Sequence, residues 1–363
     1  MTRAPRLVAL ATGTPPHPIR QGDARGLAAQ LFATSADVDP RLLQVFENAQ
    51  IETRHMCVPL EWFATRHAFA EANDLYVERG LELAADVAGR ALAAAGLGPR
   101  DVDVVLFVSS TGIATPSLDA RLANVMGFRA DVRRVPVWGL GCAGGAAGLS
   151  RARDFALADP SARVLLIALE LCSLTFQHAD RSKRNLVASS LFADGAAAAV
   201  VAGADAVAAG DPRRRPLELL ASRSTLWPGT LDVMGWTVDG DGLHVVFSSD
   251  IPTIVHEKLR PSLLAFLEQH GLTLATLPHL VTHPGGVKVL NAYRESLGLP
   301  PEAFRHARDV LREHGNMSSP SCLFVLERFL EGGEIGEAQH AVVAALGPGF
   351  CSELVLVRGA AAA

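Results

Sequence analysis

The chain is predicted to be an α/β protein of two subdomains, on three observations. Short apolar runs alternate with longer stretches of helical period. At 363 residues the chain exceeds the roughly 250–300 at which a single core stops growing. A segment rich in chain breakers, residues 202–216, interrupts the alternation. Apolar residues make up 49% of the chain and aromatics only 6%, with 32 glycines, which suits small-residue helices packed closely on sheets.

In the first half, strands are expected at residues 7–11, 102–109, 135–140, 164–170 and 196–201. These runs are rich in aliphatic and β-branched residues and are bounded by Gly, Pro or Asp. Helices are expected at 75–95, 117–126 and 144–158, where apolar residues recur at helical spacing. The second half restarts with a strand at 217–222 and a hairpin over 233–247 that turns at Asp239-Gly-Asp-Gly242. A helix at 254–270, a strand ending at Thr282, a helix at 287–297, a helix after Asn316 and strands at 341–346 and 353–358 complete the order. The halves resemble each other weakly: strand 102–109 corresponds to 278–282, and 196–201 to 353–357. The division falls between residues 1–208 and 209–363.

Composition excludes several function classes. With 33 Lys and Arg against 38 Asp and Glu, the net charge of −5 offers no basic field for nucleic acid. Arg213, Arg214 and Arg215, bracketed by prolines, read as a solvated linker. Five cysteines without paired spacing give neither a disulfide framework nor a metal site, and fit a reducing cytoplasm. The apolar stretch 7–11 is too brief for a signal peptide, and no run approaches the roughly 20 apolar residues of a membrane span, so a soluble protein is expected.

Three glycine-framed motifs carry the chemistry. Cys142 lies in Trp138-Gly-Leu-Gly-Cys-Ala-Gly-Gly145, between a strand and a small-residue helix. A helix N-terminus presents unpaired N–H groups that favour a thiolate. His283, in Thr282-His-Pro-Gly-Gly286, is expected to project from a strand end, as ion-pair partner of that thiolate and donor to an oxyanion. Asn316, in His314-Gly-Asn-Met-Ser-Ser319, brings an amide that donates without titrating, which suits an enolate. Cysteines are more often inert small hydrophobes, and Cys57, Cys172, Cys322 and Cys351 are read in that way.

These motifs, in this order, resemble the type III polyketide synthases, the chalcone synthase family. Cys142 and His283 are 283 − 142 = 141 residues apart, and His283 and Asn316 are 316 − 283 = 33 apart. Leu191-Phe-Ala-Asp-Gly-Ala196, Thr115-Pro-Ser-Leu-Asp119, Glu170-Leu-Cys-Ser-Leu-Thr-Phe176 and Gly347-Pro-Gly-Phe350 extend the resemblance through nearly the whole chain. It implies a thiolase-like layered α-β-α-β-α fold of two pseudo-repeated halves, with the nucleophilic cysteine in the first and the histidine and asparagine in the second. The implied reaction is repeated decarboxylative Claisen condensation of malonyl-CoA onto an acyl-CoA starter held on Cys142, without metal, redox cofactor or carrier protein.

By the same resemblance, Phe192 is a gatekeeper between the coenzyme A tunnel and the cavity, and Val245 replaces a second gatekeeper phenylalanine, which implies a wider passage. Ser110, Thr115, Cys172, Thr175, Ser318 and the Gly347-Pro348-Gly349 loop are expected to line the cavity. Thr115 also lies on a loop that reaches a neighbouring subunit in that family, so a homodimer is expected. Arg54, Gly285 and Lys288 are expected to contact coenzyme A, although the lysines expected beside Arg54 are replaced by Glu52 and Thr53. The leading product is an alkylpyrone or alkylresorcinol from a medium- or long-chain starter. The competing readings are an initiating ketoacyl synthase that uses a carrier protein, a Cys-His thioester hydrolase and a silent scaffold.

Overall fold

The computed structural model describes residues 3–32, 40–248 and 250–361. Its strands are β1 (Arg6–Gly13), β2 (His17–Arg20), β3 (Thr53–Met56), β4 (Val104–Val108), β5 (Arg133–Val137), β6 (Arg163–Leu171) and β7 (Asp194–Ala202). The second half adds β8 (Leu217–Leu226), β9 (Met234–Asp239), β10 (Gly242–Phe247), β11 (His279–Thr282), β12 (His340–Gly347) and β13 (Cys351–Gly359). Among the described residues, nine of these form one sheet in the order β11-β12-β13-β8-β1-β7-β6-β4-β5.

The sheet is built twice from one plan. In β1-β7-β6-β4 the successive pairings are antiparallel, antiparallel and parallel, and β8-β13-β12-β11 follows the same sequence of senses. The two units meet where Arg6 and Leu7 pair with Glu218 and Leu217. The weak likeness of strands 102–109 and 278–282 is therefore the likeness of β4 and β11.

Burial on both faces explains why these strands read as continuous apolar runs rather than alternating ones. Within β4, Val104, Leu106 and Val108 join one core while Val105 and Phe107 join the other. The first core holds the helix Gly144–Ala158, which packs against β4, β6, β12 and β13 and against the helix Ser321–Glu331. Both helices are buried along most of their length, and Gly and Ala in the first let neighbouring backbone close in. The outer face of the first half is covered by the helix Phe69–Ala94. The result is the layered, thiolase-like architecture.

Some boundaries differ from expectation, for local reasons. The helix expected at 254–270 is Ile251–Ile254, a π turn at Val255–Leu259, and Arg260–Gln269. Pro261 has no N–H for the i→i−4 ladder, and the ladder widens just before it. The strand expected at 135–140 ends at Val137, because Gly139 and Gly141 turn the chain with φ of +94° and +44°. The helices Lys183–Leu191 and Arg305–His314 had no expectation at all. The first buries only Leu186 among its apolar residues; in the second only Ala307, Val310 and Leu311 face the core. No helix among the described residues is long and apolar enough to cross a membrane.

Candidate active site

The turn after β5 delivers Cys142 to the start of the buried helix. Ser110 Oγ, at the exit of β4, accepts the N–H groups of Gly139 and Gly141, each at 3.2 Å, and pins that turn. Two glycines are required by close approach: a Cβ on Gly141 would lie 2.9 Å from the Pro348 ring, and one on Gly145 would lie 2.3 Å from the Ser319 carbonyl oxygen. The Gly347-Pro348-Gly349 loop thus lies against the cysteine turn, and the Asn316 segment lies against the helix that follows. Cys142 is buried, and the side chains of Ser318 and Asn316 lie near enough to its sulfur to favour the thiolate.

Asn316 is held by backbone on both sides. Its N–H donates to Leu191 O and its carbonyl accepts from Ala193 N–H, both at 2.9 Å, so that Phe192 lies beside it as a short bridge. Its Oδ1 accepts the Ser318 N–H at 2.8 Å and its Nδ2 donates to Gly285 O at 3.2 Å. Ser318 sits at φ of +57°, the left-handed region that a side chain rarely occupies.

His283 leaves β11 with its N–H on Ala344 O at 2.9 Å, and its ring lies over Gly285, where a Cβ would be 3.3 Å from the ring. Cys142 therefore contacts Asn316, Asn316 contacts Gly285, and Gly285 carries the imidazole. Both His283 ring nitrogens are buried without a protein partner. Buried polar atoms are nearly always paired, so this ring is set to receive a ligand.

Burial works against the ion pair expected from sequence. Burial pushes the Cys142 thiol up to about 11, against the opposing pull of Ser318 and Asn316, and the Glu170 carboxylate adds to the rise. Burial alone brings His283 down to about 3. Burial thus favours the thiol over the thiolate and the neutral imidazole over the imidazolium, because neither charge has enough solvent to stabilise it.

Four expected residues, Cys172, Thr175, Phe192 and Val245, line one cavity with about 670 Å³ of empty space, its mouth included. Its remaining wall is mainly apolar and includes Ala28, Phe32, Phe46, Met56, Phe63 and Phe176. Cys142 is not in this wall; the cavity adjoins the cysteine cluster through Phe192, the bridge partner of Asn316.

The other expectations fare differently. Ser110 and Ser318 belong to the cysteine cluster rather than to the cavity wall, since their polar atoms are spent on the turn and on the sulfur. Thr115 is exposed on a surface loop. Lys288 is exposed in the first turn of the helix Val287–Leu297, on an open groove with His256, Glu257 and Asn291.

Arg54 lies buried in the wall of the cavity beside Phe192 rather than on an exposed phosphate-binding surface. It is only 1% exposed, its Nη1 donates to Ser189 O and Phe192 O at 2.6 and 2.8 Å, and burial lowers its guanidinium to about 10. Burial this deep leaves little access for a coenzyme A phosphate, while Nε and Nη2 of Arg54 have no protein partner. Arg54 instead braces the Phe192 segment from beneath Gly315, where a Cβ would meet its side chain at 2.8 Å.

Two contributors escaped the sequence reading. Trp236 pairs with Val245 across the hairpin, and its ring lies 6.4 Å from that of Phe192, so an aromatic still stands opposite Phe192 although Val245 is small. The signal was the register of a hairpin whose turn was already placed. Glu170 is a fully buried carboxylate beside the cluster, held near 7 because burial disfavours its charge. It was quoted only as part of a motif.

Comparison with known proteins fits this geometry. Models of the N-terminal and C-terminal domains of chalcone and stilbene synthases match residues 3–206 and 218–361. The chain is 42% identical over 358 residues to 1,3,6,8-tetrahydroxynaphthalene synthase of Streptomyces peucetius subsp. caesius, covering 98% of this chain and 93% of that protein. It is 31% identical over 354 residues to the alpha-pyrone synthesis polyketide synthase-like Pks18 of Mycobacterium tuberculosis (strain ATCC 25618 / H37Rv), covering 96% and 89%. The crystal structure of 1,3,6,8-tetrahydroxynaphthalene synthase from Streptomyces coelicolor A3(2), a bacterial type III polyketide synthase, superposes with a TM-score of 0.92 at 33% identity, covering 98% of this chain and all of that one. The chain belongs to the chalcone and stilbene synthase family, the type III polyketide synthases, which are acyltransferase-type condensing enzymes.

Proposed function

We propose that the protein condenses malonyl-CoA repeatedly onto a medium- or long-chain acyl-CoA starter and releases an alkylpyrone or alkylresorcinol. The observation that carries this reading is the apolar cavity beside Phe192: Leu27, Ala28, Leu31, Phe46 and Phe63 offer a hydrocarbon chain a wall with few polar groups to desolvate.

Cys142 attacks the starter thioester as its proton passes to His283, and the proton leaves with the coenzyme A thiolate as free thiol. Malonyl-CoA then loses CO₂, and the neutral His283 N–H and the Asn316 amide donate to the resulting enolate oxygen. The enolate carbon attacks the Cys142 thioester, the carbon–sulfur bond breaks, and a chain longer by two carbons is ready to reload. Decarboxylation supplies the carbanion, so neither a metal nor a redox cofactor enters these steps. Two such donors can supply several kcal/mol, since loss of one oxyanion donor costs roughly 2.7–4 kcal/mol.

Lys288 is the reachable cation for a coenzyme A phosphate in this reading, with Gly285 and Gly286 allowing the thioester arm past His283. A homodimer would form along β5, whose edge is exposed and flanked by Trp138 and Ile113, at 52% and 46% exposure, near the Thr115 loop. The enzyme would work in the cytoplasm on coenzyme A thioesters without a carrier protein.

The similarity to two tetrahydroxynaphthalene synthases favours one other reading, in which malonyl-CoA is also the starter. Purified protein given labelled malonyl-CoA, alone and with acyl-CoAs of graded length, separates the two by product mass. Alkylated pyrones or resorcinols with a long-chain optimum are expected; a single product from malonyl-CoA alone, unaffected by acyl-CoA, would replace the first reading with the second.

A further inference from the structure

Glu170 closes β6 between the two segments that carry the reacting groups. Its Oε2 accepts the Ser110 N–H and the Thr111 hydroxyl, both at 2.9 Å, and its Oε1 accepts the Ser319 hydroxyl at 2.8 Å. Ser110 Oγ in turn holds the Gly139 and Gly141 N–H groups of the cysteine turn, and Ser319 lies three residues past Asn316. Thr111 Oγ1 also accepts the Leu171 N–H at 2.9 Å, which fixes the β6 end to the β4 exit. Glu170 and Ser319 are fully buried, and Ser110 and Thr111 nearly so, at 2% and 4% exposure. No cation faces this carboxylate at ion-pair distance among the described residues, so hydrogen bonds alone repay its burial.

We infer that Glu170 is a positioning residue for condensation: its two oxygens tie the turn that presents Cys142 to the turn that presents Asn316, and so set the acyl carbon against the enolate. The inference rests on the condensation proposed above. Decarboxylation needs only the donors around the malonyl group, whereas carbon–carbon bond formation needs both turns in register. Loosening the tie therefore uncouples the two steps. The charge has a separate effect: burial is the main cause that raises Cys142, Cys172 and Tyr76, and the Glu170 carboxylate adds to the rise in all three.

The test compares Glu170→Gln, Glu170→Ala and Ser319→Ala, with CO₂ release from malonyl-CoA and extended product measured together. A glutamine amide donates to Ser319 Oγ and its oxygen keeps the other two donors, so E170Q retains the tie and loses the charge. Ser319→Ala removes one bond and leaves Glu170 in place, which covers the case in which Glu170→Ala does not fold. The ratio of product to CO₂ is expected to fall about 10-fold or more in Glu170→Ala and Ser319→Ala, and to stay within about 3-fold of wild type in E170Q, as expected when reacting atoms lose or keep their alignment. The pH profile of Cys142 alkylation in E170Q should also move to lower pH. A wild-type ratio in both Ser319→Ala and Glu170→Ala, or a collapse in E170Q equal to that in Glu170→Ala, overturns the positioning role. Failure of the wild-type enzyme to extend any acyl-CoA would instead refute the proposed function.

Discussion

The cysteine cluster and the neighbouring cavity are two regions of one site built on opposite principles. Around Cys142, polar atoms are fixed by named partners: Ser110 holds the turn, Gly285 holds the Asn316 amide, and Ser318 and Asn316 stand beside the sulfur. Around Ala28, Phe46 and Phe63, the wall is apolar and tolerant of shape. The first region demands particular atoms at particular points, whereas the second demands volume and dryness. Chemistry should therefore fail abruptly when the cluster is altered, and selectivity should drift when the cavity is.

The sharpest break is Cys142→Ala. It should abolish extended product completely while malonyl-CoA decarboxylation continues on His283 and Asn316, because only the sulfur carries the acyl chain. Product and CO₂ followed by mass and by release of label check this. Extended product at the wild-type rate would mean that the cluster is not the acyl carrier.

A second test concerns charge inside the cluster. Burial holds the Cys142 thiol up at about 11 and His283 down at about 3. A raised thiol pKa means that the reactive thiolate is scarce at neutral pH and grows as pH rises toward that value. Alkylation of the unliganded enzyme by iodoacetamide should therefore climb by about 100-fold between pH 7 and pH 9, following the thiolate fraction. A rate already level at pH 7 would show a resting thiolate–imidazolium pair, and would shift activation from the substrate-bound state to the free enzyme.

The contrast also explains what could be read from the sequence. The cluster was legible because its demands are local: close approach of Pro348 and of the Ser319 carbonyl forces glycine at 141 and 145, Cys142 and His283 each follow an apolar run, and Asn316 is marked by the glycine before it. β4, β6, β7, β12 and β13 were legible because strands buried on both faces are continuous apolar words. The setting of Arg54 was not legible because residue type announces charge but not burial, and only the fold shows that its Nη1 donates to Ser189 and Phe192 while Nε and Nη2 stay unpartnered. The cavity was legible only in part. Its wall gathers residues from the helix Gln21–Phe32, from β3 and from the helix Lys183–Leu191, and no sequence period links them. Trp236 shows the same limit, since its place beside Phe192 depends on strand pairing with Val245.

The smallest expected effect belongs to the cavity. Ala28 is buried in the helix Gln21–Phe32 and lines the wall opposite no reacting group. Ala28→Phe adds a ring where a long acyl chain would lie, and filling space in this way costs about 1–3 kcal/mol at a packed contact. Long-chain kcat/KM should drop roughly 10-fold by that measure, while the shortest accepted starters are turned over as before. The distinction matters because a general loss of stability lowers turnover of every starter together. Competition between a short and a long acyl-CoA in one reaction, read by product mass, reports the ratio directly and cancels any loss of folded enzyme. A ratio unchanged from wild type would place the starter chain elsewhere and leave the apolar cavity without a part in choosing it.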